Sequence, residues 1–486
     1  MAGFAPGILR PSYPAEALSP GIVHIGLGNF HRAHQAWYLH RLMQQGQALD
    51  WAILGAGVRP ADIQMRQRLL TQDCLSTLIC LDPEGRSAEI IGAMQDFLPV
   101  DPEGPGPHGA LIAAMADPRI RIVSLTVTEG GYFLDPATGA LDTEHADIRH
   151  DGANPQAPRT AFGAMLAALT LRRAAGHPPF TAQSCDNLQG NGDILRGVLV
   201  GLARLADPGL AAWLEAEGAF PNSMVDCIVP ATGAAELALA RDFGIEDAAP
   251  VTHEAFRQWV IEDRFAAGRP PWEAVGATLT ADVHRYEAMK IRMLNGGHQV
   301  LANAGELLGL ETIAECATHA SIAALFDRVQ REEIVPQVEP VPEMAPLDYL
   351  ALIKRRFANP QIRDTARRVA FDGSARHPGF LLPVLRERLA AGAPVSGLAL
   401  TQALWARMCA GMREDGDEIA PNDPHWDSLK TAALQARDAP LAWLDQAAIY
   451  GDLTEAEAFS EHFAKWLSMI WAEGTQATLA TYTGTR

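Results

Sequence analysis

The sequence predicts two domains of different class, an α/β N-terminal domain over residues 1–284 and a mainly α-helical C-terminal domain over residues 285–486. Three observations carry this reading. A chain of 486 residues exceeds what one ordinary core encloses, so two domains are expected. Its first half alternates short apolar runs with amphipathic stretches, the pattern of a parallel sheet with helices on its faces. From about Tyr286 onward the strand signals stop and only helical patterns follow.

Taken in order, residues 21–25, 51–54, 120–127 and 180–184 are short apolar runs and read as strands. Between and after them, 33–44, 110–115, 161–173 and 194–205 read as helices. The stretch 135–159 is polar and rich in Pro, Gly and Asp, and reads as a long excursion over the surface. In the second half, 289–308, 321–329, 347–357, 382–389, 397–412 and 456–471 show helical patterns. Pro and Gly clusters at 335–346 and 416–424 interrupt them.

The composition is 48% apolar and 20% charged, that of a globular enzyme. A net charge of −19 repels phosphate backbones and anionic bilayers, which disfavours nucleic-acid and membrane-surface roles. Residues 1–20 carry no apolar targeting segment, and no apolar run approaches a membrane span, so a cytoplasmic protein is expected. Cys74, Cys80, Cys185, Cys227, Cys316 and Cys409 are scattered without metal-ligand spacing and read as reduced thiols. Of 39 cationic residues only Lys290, Lys354, Lys430 and Lys465 are lysine. Arginine cannot release a proton at working pH, so each lysine is a candidate for proton chemistry.

The first motif runs from Ile22 through Gly26-Leu27-Gly28-Asn29-Phe30-His31-Arg32, a strand leading into a glycine pair and a helix. In a dinucleotide-binding fold the first glycine makes the tight turn and the second lets the backbone approach the pyrophosphate. His31 stands where a third glycine is expected, and Arg32 at the helix start offers charge to the phosphates. A plain turn has the same spacing, but the position at the first strand of an α/β domain favours a Rossmann-type cofactor loop. Candidate cofactor residues are therefore Gly26, Gly28, Asn29, Phe30 and Arg32, with Asp62 as the nearest acid for the ribose. Arg59 could equally face a 2′-phosphate, so NAD is expected over NADP by a modest margin, and solvated loop charge explains both residues as well.

The second motif is Glu287-Ala288-Met289-Lys290-Ile291-Arg292-Met293-Leu294-Asn295-Gly296-Gly297-His298. At about 100° per residue in an α-helix, His298 falls about 80° and Asn295 about 140° from Lys290, all on one flank. Glu287 shares that flank. A solvated amphipathic face with a fortuitous histidine has the same spacing. The adjacent Gly296 and Gly297 are costly in a helix and imply that something approaches the backbone there. Tyr286 with Lys290 also spells Tyr-x-x-x-Lys, but it comes too late in the chain for a short-chain dehydrogenase.

The glycine motif, then Thr128-Glu129-Gly130-Gly131-Tyr132, Ser184-Cys185-Asp186-Asn187-Leu188-Gln189-Gly190-Asn191-Gly192 and the Lys290 motif occur in one order. Together with 356–360 and 372–376 they resemble the polyol-specific long-chain dehydrogenase/reductases over nearly the whole chain. The resemblance implies a Rossmann domain followed by a helical domain, NAD as cofactor, no zinc, and a polyol or ketose as substrate. It assigns Lys290 as the catalytic lysine, Asn187 and Asn295 as the amides on the reacting oxygen, and His298 as a substrate-binding residue. Asp226, Arg368 and Arg376 match further positions lining the polyol site, with Arg376 where the family is expected to carry lysine. Glu287 matches a glutamate that relays the proton to water. The chemistry suits these groups: a lysine enclosed with a cationic nicotinamide loses its proton more readily, and amide N–H groups stabilise a developing alkoxide.

The expected reaction is oxidation of D-mannitol to D-fructose. Alternatives within the family are a five-carbon D-arabinitol oxidation and reduction of a keto-uronate such as fructuronate. A nucleotide-binding regulator without turnover is the alternative outside it, and the four catalytic candidates together argue against that. The sequence leaves the oligomeric state open, a monomer included.

Overall fold

The computed structural model describes residues 8–57, 62–99, 108–135 and 138–484. The chain divides into two compact units, Met1–His284 and Arg285–Arg486.

Among the described residues the first unit has eleven strands. They are β1 (Pro20–Ile25), β2 (Ala52–Ala56), β3 (Ser76–Asp82), β4 (Gly85–Ile91), β5 (Met94–Phe97), β6 (Ile122–Leu125), β7 (Thr181–Ser184), β8 (Ser223–Asp226), β9 (Val251–His253), β10 (Gln258–Glu262) and β11 (Thr278–Thr280). Five of them form a sheet of order β5-β2-β1-β6-β7 in which every pair is parallel. Its inner strands β1, β2 and β6 are mostly apolar because both faces are covered. Val23, Ile25, Val123 and Leu125 join one core cluster with side chains of Ala161–Ala174 and Asn191–Ala206, while Ile22, Ile53 and Ile122 join another with Gln35–Gln44. The order reverses between β1 and β6, and in open α/β sheets the crevice beyond the strand ends at such a reversal is where ligands bind.

The strands expected over 21–25, 51–54, 120–127 and 180–184 correspond to β1, β2, β6 and β7, though β6 is shorter than expected and Trp51 belongs to a 3-10 turn before β2. The remaining seven carry weaker signals: β5 has only Met94 and Phe97 to bury, and β3 and β4 form a hairpin extended by parallel β9. The helix expected over 33–44 begins earlier and is broken in two, Asn29–Ala33 and Gln35–Gln44, by a non-helical His34. The supposed surface excursion 135–159 is in part structured, since it contains helix Ala146–Ala153 with Ile148 and Asp151 buried. Asp151 accepts from Arg159 N, Thr160 N and Thr160 Oγ1, which fixes the chain's return to the core.

The second unit is helical, with isolated bridges and no strand among its described residues. At its centre lies Gly296–Leu307, whose residues are all buried except His298. A helix buried all round belongs to the core. The pattern over 289–308 is not one helix, however: His284–Met289 leads into a wider π turn, Lys290–Asn295, before Gly296–Leu307 begins. Among the described residues no helix is long and apolar enough to cross a membrane.

Candidate active site

At the end of β1 the chain turns through Gly26 at φ +87°, and a Cβ there would lie 2.2 Å from the Thr126 carbonyl oxygen. Thr126 Oγ1 donates to Gly26 O at 2.8 Å, so the ends of β1 and β6 are tied together at the reversal point. Gly28 differs in kind. Its Cβ would meet nothing nearer than Gly26 O at 3.9 Å, so this glycine is not demanded by packing within the chain. Asn29 is held by Thr232 Oγ1 at 2.8 Å, and Phe30 stacks on His34 with ring centroids 5.0 Å apart.

Arg32 does not offer its charge to a phosphate. The side chain is fully buried, and its guanidinium donates to Gly28 O, Asn29 Oδ1 and Ala249 O. Burial lowers its pKa to about 10. This residue braces the glycine turn from behind, which corrects the expectation of a phosphate contact. In place of a third glycine, His31 stacks flat on His24 of β1, centroids 3.5 Å apart, and His24 is fixed by Ser124 Oγ and Thr126 Oγ1. Burial pushes His24 down to about 3 and His31 well below its usual value, so two neutral imidazoles space helix from strand.

Asp62 opens helix Asp62–Leu70, and its carboxyl lies against Gly57 just past β2, within 2.8 Å of where a Cβ would stand. A carboxylate at the end of β2 has the placement expected for a ribose acceptor. Arg59 lies outside the described residues.

Beyond β7, Asn187 is exposed while its neighbour Asp186 is buried. Asp186 accepts from Val127 N at 3.1 Å, Thr128 N at 2.8 Å and Tyr132 Oη at 2.7 Å. It thereby holds Thr128 at φ +68°, a strained value for a β-branched residue, beside the reversal point. Asn191 links Asp186 O to Ser223 O and so fixes the end of β7 against the start of β8. Asp226 ends β8, buried. Asp186 and Thr126 went unassigned in the sequence reading. The former stood within the Ser184–Gly192 motif, and only its burial reveals its part.

In the second unit Glu287 and Lys290 are both buried, at 3% and 8% exposure. In the π turn Gly296 N–H bonds back to Ile291 O, five residues earlier, where an α-helix would bond four. The extra residue removes about 100° of phase. Asn295 then falls about 40° and His298 about 20° from Lys290, against the 140° and 80° of an uninterrupted α-helix. On these ideal angles the π turn brings the three closer in phase than an uninterrupted α-helix would. His298 stacks on Phe357, centroids 4.2 Å apart. Gly296 and Gly297 prove to serve packing: a Cβ at Gly297 would lie 2.7 Å from both Gln330 Nε2 and Phe326 Cε2, and one at Gly296 would lie 3.0 Å from Leu381 Cδ2.

Arg368 and Arg376 are brought together, since Arg376 Nη1 donates to Val369 O at 2.6 Å and reaches Arg368 O at 3.4 Å. Gln299, next to His298, donates to the same Val369 carbonyl and ties this segment to the central helix. The Arg368 guanidinium itself makes a two-pronged pair with Asp364, both contacts 2.6 Å. Among the described residues no group of three or more His, Cys, Asp or Glu is placed to hold a metal ion.

Residues 20–274 match the family described as Mannitol dehydrogenase Rossmann domain, and residues 282–471 match Mannitol dehydrogenase C-terminal domain. A mannitol 2-dehydrogenase of Cereibacter sphaeroides is 54% identical over 472 residues, 97% of this chain and 98% of its own. One from Phaeosphaeria nodorum is 40% identical over 97% of this chain and 83% of its own. Among solved structures, the Pseudomonas fluorescens mannitol 2-dehydrogenase ternary complex with NAD and D-mannitol is 38% identical with a TM-score of 0.88, covering 99% of this chain and 98% of that one. A substrate-free D-sorbitol dehydrogenase is 33% identical with the same TM-score, covering 98% of each chain.

Proposed function

The chain belongs to the mannitol dehydrogenase family, and we propose that it oxidises a secondary hydroxyl of a polyol with NAD, converting D-mannitol to D-fructose with Lys290 as proton acceptor. The observation that supports the assignment of Lys290 is the π turn that begins at this buried lysine, which on ideal angles brings it closer in phase to Asn295 and His298.

The first unit's residues fit a dinucleotide. Gly26 makes the turn, the open space at Gly28 admits a pyrophosphate, and the Asp62 carboxylate beyond β2 accepts ribose hydroxyls and repels a 2′-phosphate. NAD, when bound, supplies the acceptor for the hydride that leaves the carbinol carbon. Lys290, neutral before reaction, takes the hydroxyl proton as the C–H electrons depart, leaving a carbonyl and an ammonium. Asn295 donates an N–H to the oxygen as negative charge grows there, and Asn187 is the amide that the first unit offers for the same purpose. His298 orients the neighbouring hydroxyl, Asp226 and Arg376 bind the remainder of the polyol, and Glu287 passes the proton from Lys290 to water.

A uronate substrate is the second reading within the family. The pairing of Arg368 with Asp364 weighs against it, because that cation is already neutralised by a carboxylate. The net charge of −19 adds to the disadvantage of an anionic substrate.

Lys290→Ala should lower polyol oxidation by about 10² to 10⁴, the usual contribution of a general base, with NADH affinity retained. Lys290→Arg keeps the approximate size but stays protonated and cannot serve as the neutral base, and should be nearly as inactive. NADH absorbance against a panel of hexitols, pentitols and aldonates measures both points. Near-wild-type turnover by Lys290→Arg would show that the lysine is structural.

A further inference from the structure

Gln330 is fully buried where helix Ala320–Val329 passes into a second π turn, Gln330–Ile334. Its Nε2 donates to Met293 O at 2.7 Å, in the middle of the turn that follows Lys290. Its Oε1 is buried without a hydrogen-bond partner. A buried amide with one unpaired atom is less stable than an apolar side chain of equal size, so packing alone does not account for a glutamine here.

The backbone supplies the reason. In an α-helix the Met293 carbonyl would take the N–H of Gly297, four residues on. The π turn shifts the ladder by one: Gly296 N–H bonds back to Ile291 O and also reaches Met293 O, and the Gln330 amide is a second donor on that Met293 carbonyl, from outside the helix. Gly297 leaves room for that donor, since a Cβ would stand 2.7 Å from Gln330 Nε2.

We infer that Gln330 is a positioning residue for the reaction, its amide holding the π turn that sets Lys290, Asn295 and His298 in line. This rests on the reading of Lys290 as the proton acceptor. Losing the donor frees the turn to change phase, and Asn295 and His298 then no longer share a fixed line with Lys290.

The test is Gln330→Met in the full chain, which keeps an unbranched side chain of similar volume and deletes the donor. Polyol turnover should fall at least about tenfold with NADH affinity unchanged, and the pH profile of kcat should shift. In a Lys290→Ala background the same substitution should lower the residual rate by a clearly smaller factor than in the wild type, because only the displacement of Asn295 and His298 from the substrate remains and the lost alignment with Lys290 no longer counts. Amide hydrogen exchange over residues 294–297 should quicken, a readout independent of activity. Gln330→Leu should behave alike and serves if the methionine variant does not fold. Wild-type turnover with unaltered exchange overturns the inference, and so does an equal loss in both backgrounds, which marks a general structural role. Active Lys290→Arg removes the premise. Inactive Lys290→Arg beside a fully active Gln330→Met removes this inference alone.

Discussion

Gly28 and Gly26 look alike in the sequence, yet only one is required by the chain itself. A side chain at Gly26 would collide with the Thr126 carbonyl, whereas one at Gly28 would enter open space. Gly28→Val should therefore leave the melting temperature nearly unchanged while lowering NADH affinity at least about tenfold, because it fills the place of the pyrophosphate. Thermal unfolding and a fluorescence titration measure the two effects separately. Undiminished NADH affinity would place the dinucleotide elsewhere. The glycine spacing was legible because it is local. The burial of Arg32 was not, since the Ala249 carbonyl that receives its guanidinium comes 217 residues later. Charge at a helix start can be read from sequence, but its direction is set by distant partners.

At the scale of elements, Asp186 joins two strand ends by accepting two backbone N–H groups and the Tyr132 phenol. Asp186→Asn keeps the shape but turns an N–H₂ group toward donors and removes the charge. It should cost about 2 to 3 kcal/mol in denaturant unfolding, the range for losing hydrogen bonds to a buried charge. It should also weaken NADH binding, because the positive-φ Thr128 at the reversal point loses its restraint. A loss below about 0.5 kcal/mol, the size of an ordinary surface change, would show that Thr128 holds its conformation without the carboxylate. The central strands were legible because burial on both faces makes them mostly apolar, His24 and Ser124 being the polar interruptions. Helix Ala146–Ala153 was not, since its Asp, His and Gly residues suit a loop and only the packing of Ile148 and Asp151 makes it a helix. The π turn was hidden for another reason. One inserted residue leaves the apolar pattern over 289–308 intact while shifting the phase of every residue after it.

Over the whole molecule, burial of neutral histidine is unevenly distributed between the two units. His24, His40 and His253 in the first unit are each pushed down to about 3 by burial, and His31 falls well below its usual value. In the second unit His377, stacked on Trp405, is pushed down to about 3 for the same reason. Each is neutral in the folded chain and takes a proton near pH 6.5 once unfolded. The unfolded state therefore binds more protons below pH 6.5, so stability is complete above that value and falls as the pH drops toward 3. With four such histidines in the first unit against one in the second, the loss of stability on acidification should be larger in the first unit. Between pH 6.5 and 5 most carboxylates remain ionised, which leaves this window to the histidines. Peptide-resolved hydrogen exchange without ligand, corrected for the intrinsic rate, should show β1, β2 and β6 losing protection from pH 7 to 5 ahead of helix Ser396–Cys409. Equal losses in both units would mean that the buried imidazoles take up protons without unfolding, and that the net charge of the chain sets its acid stability instead.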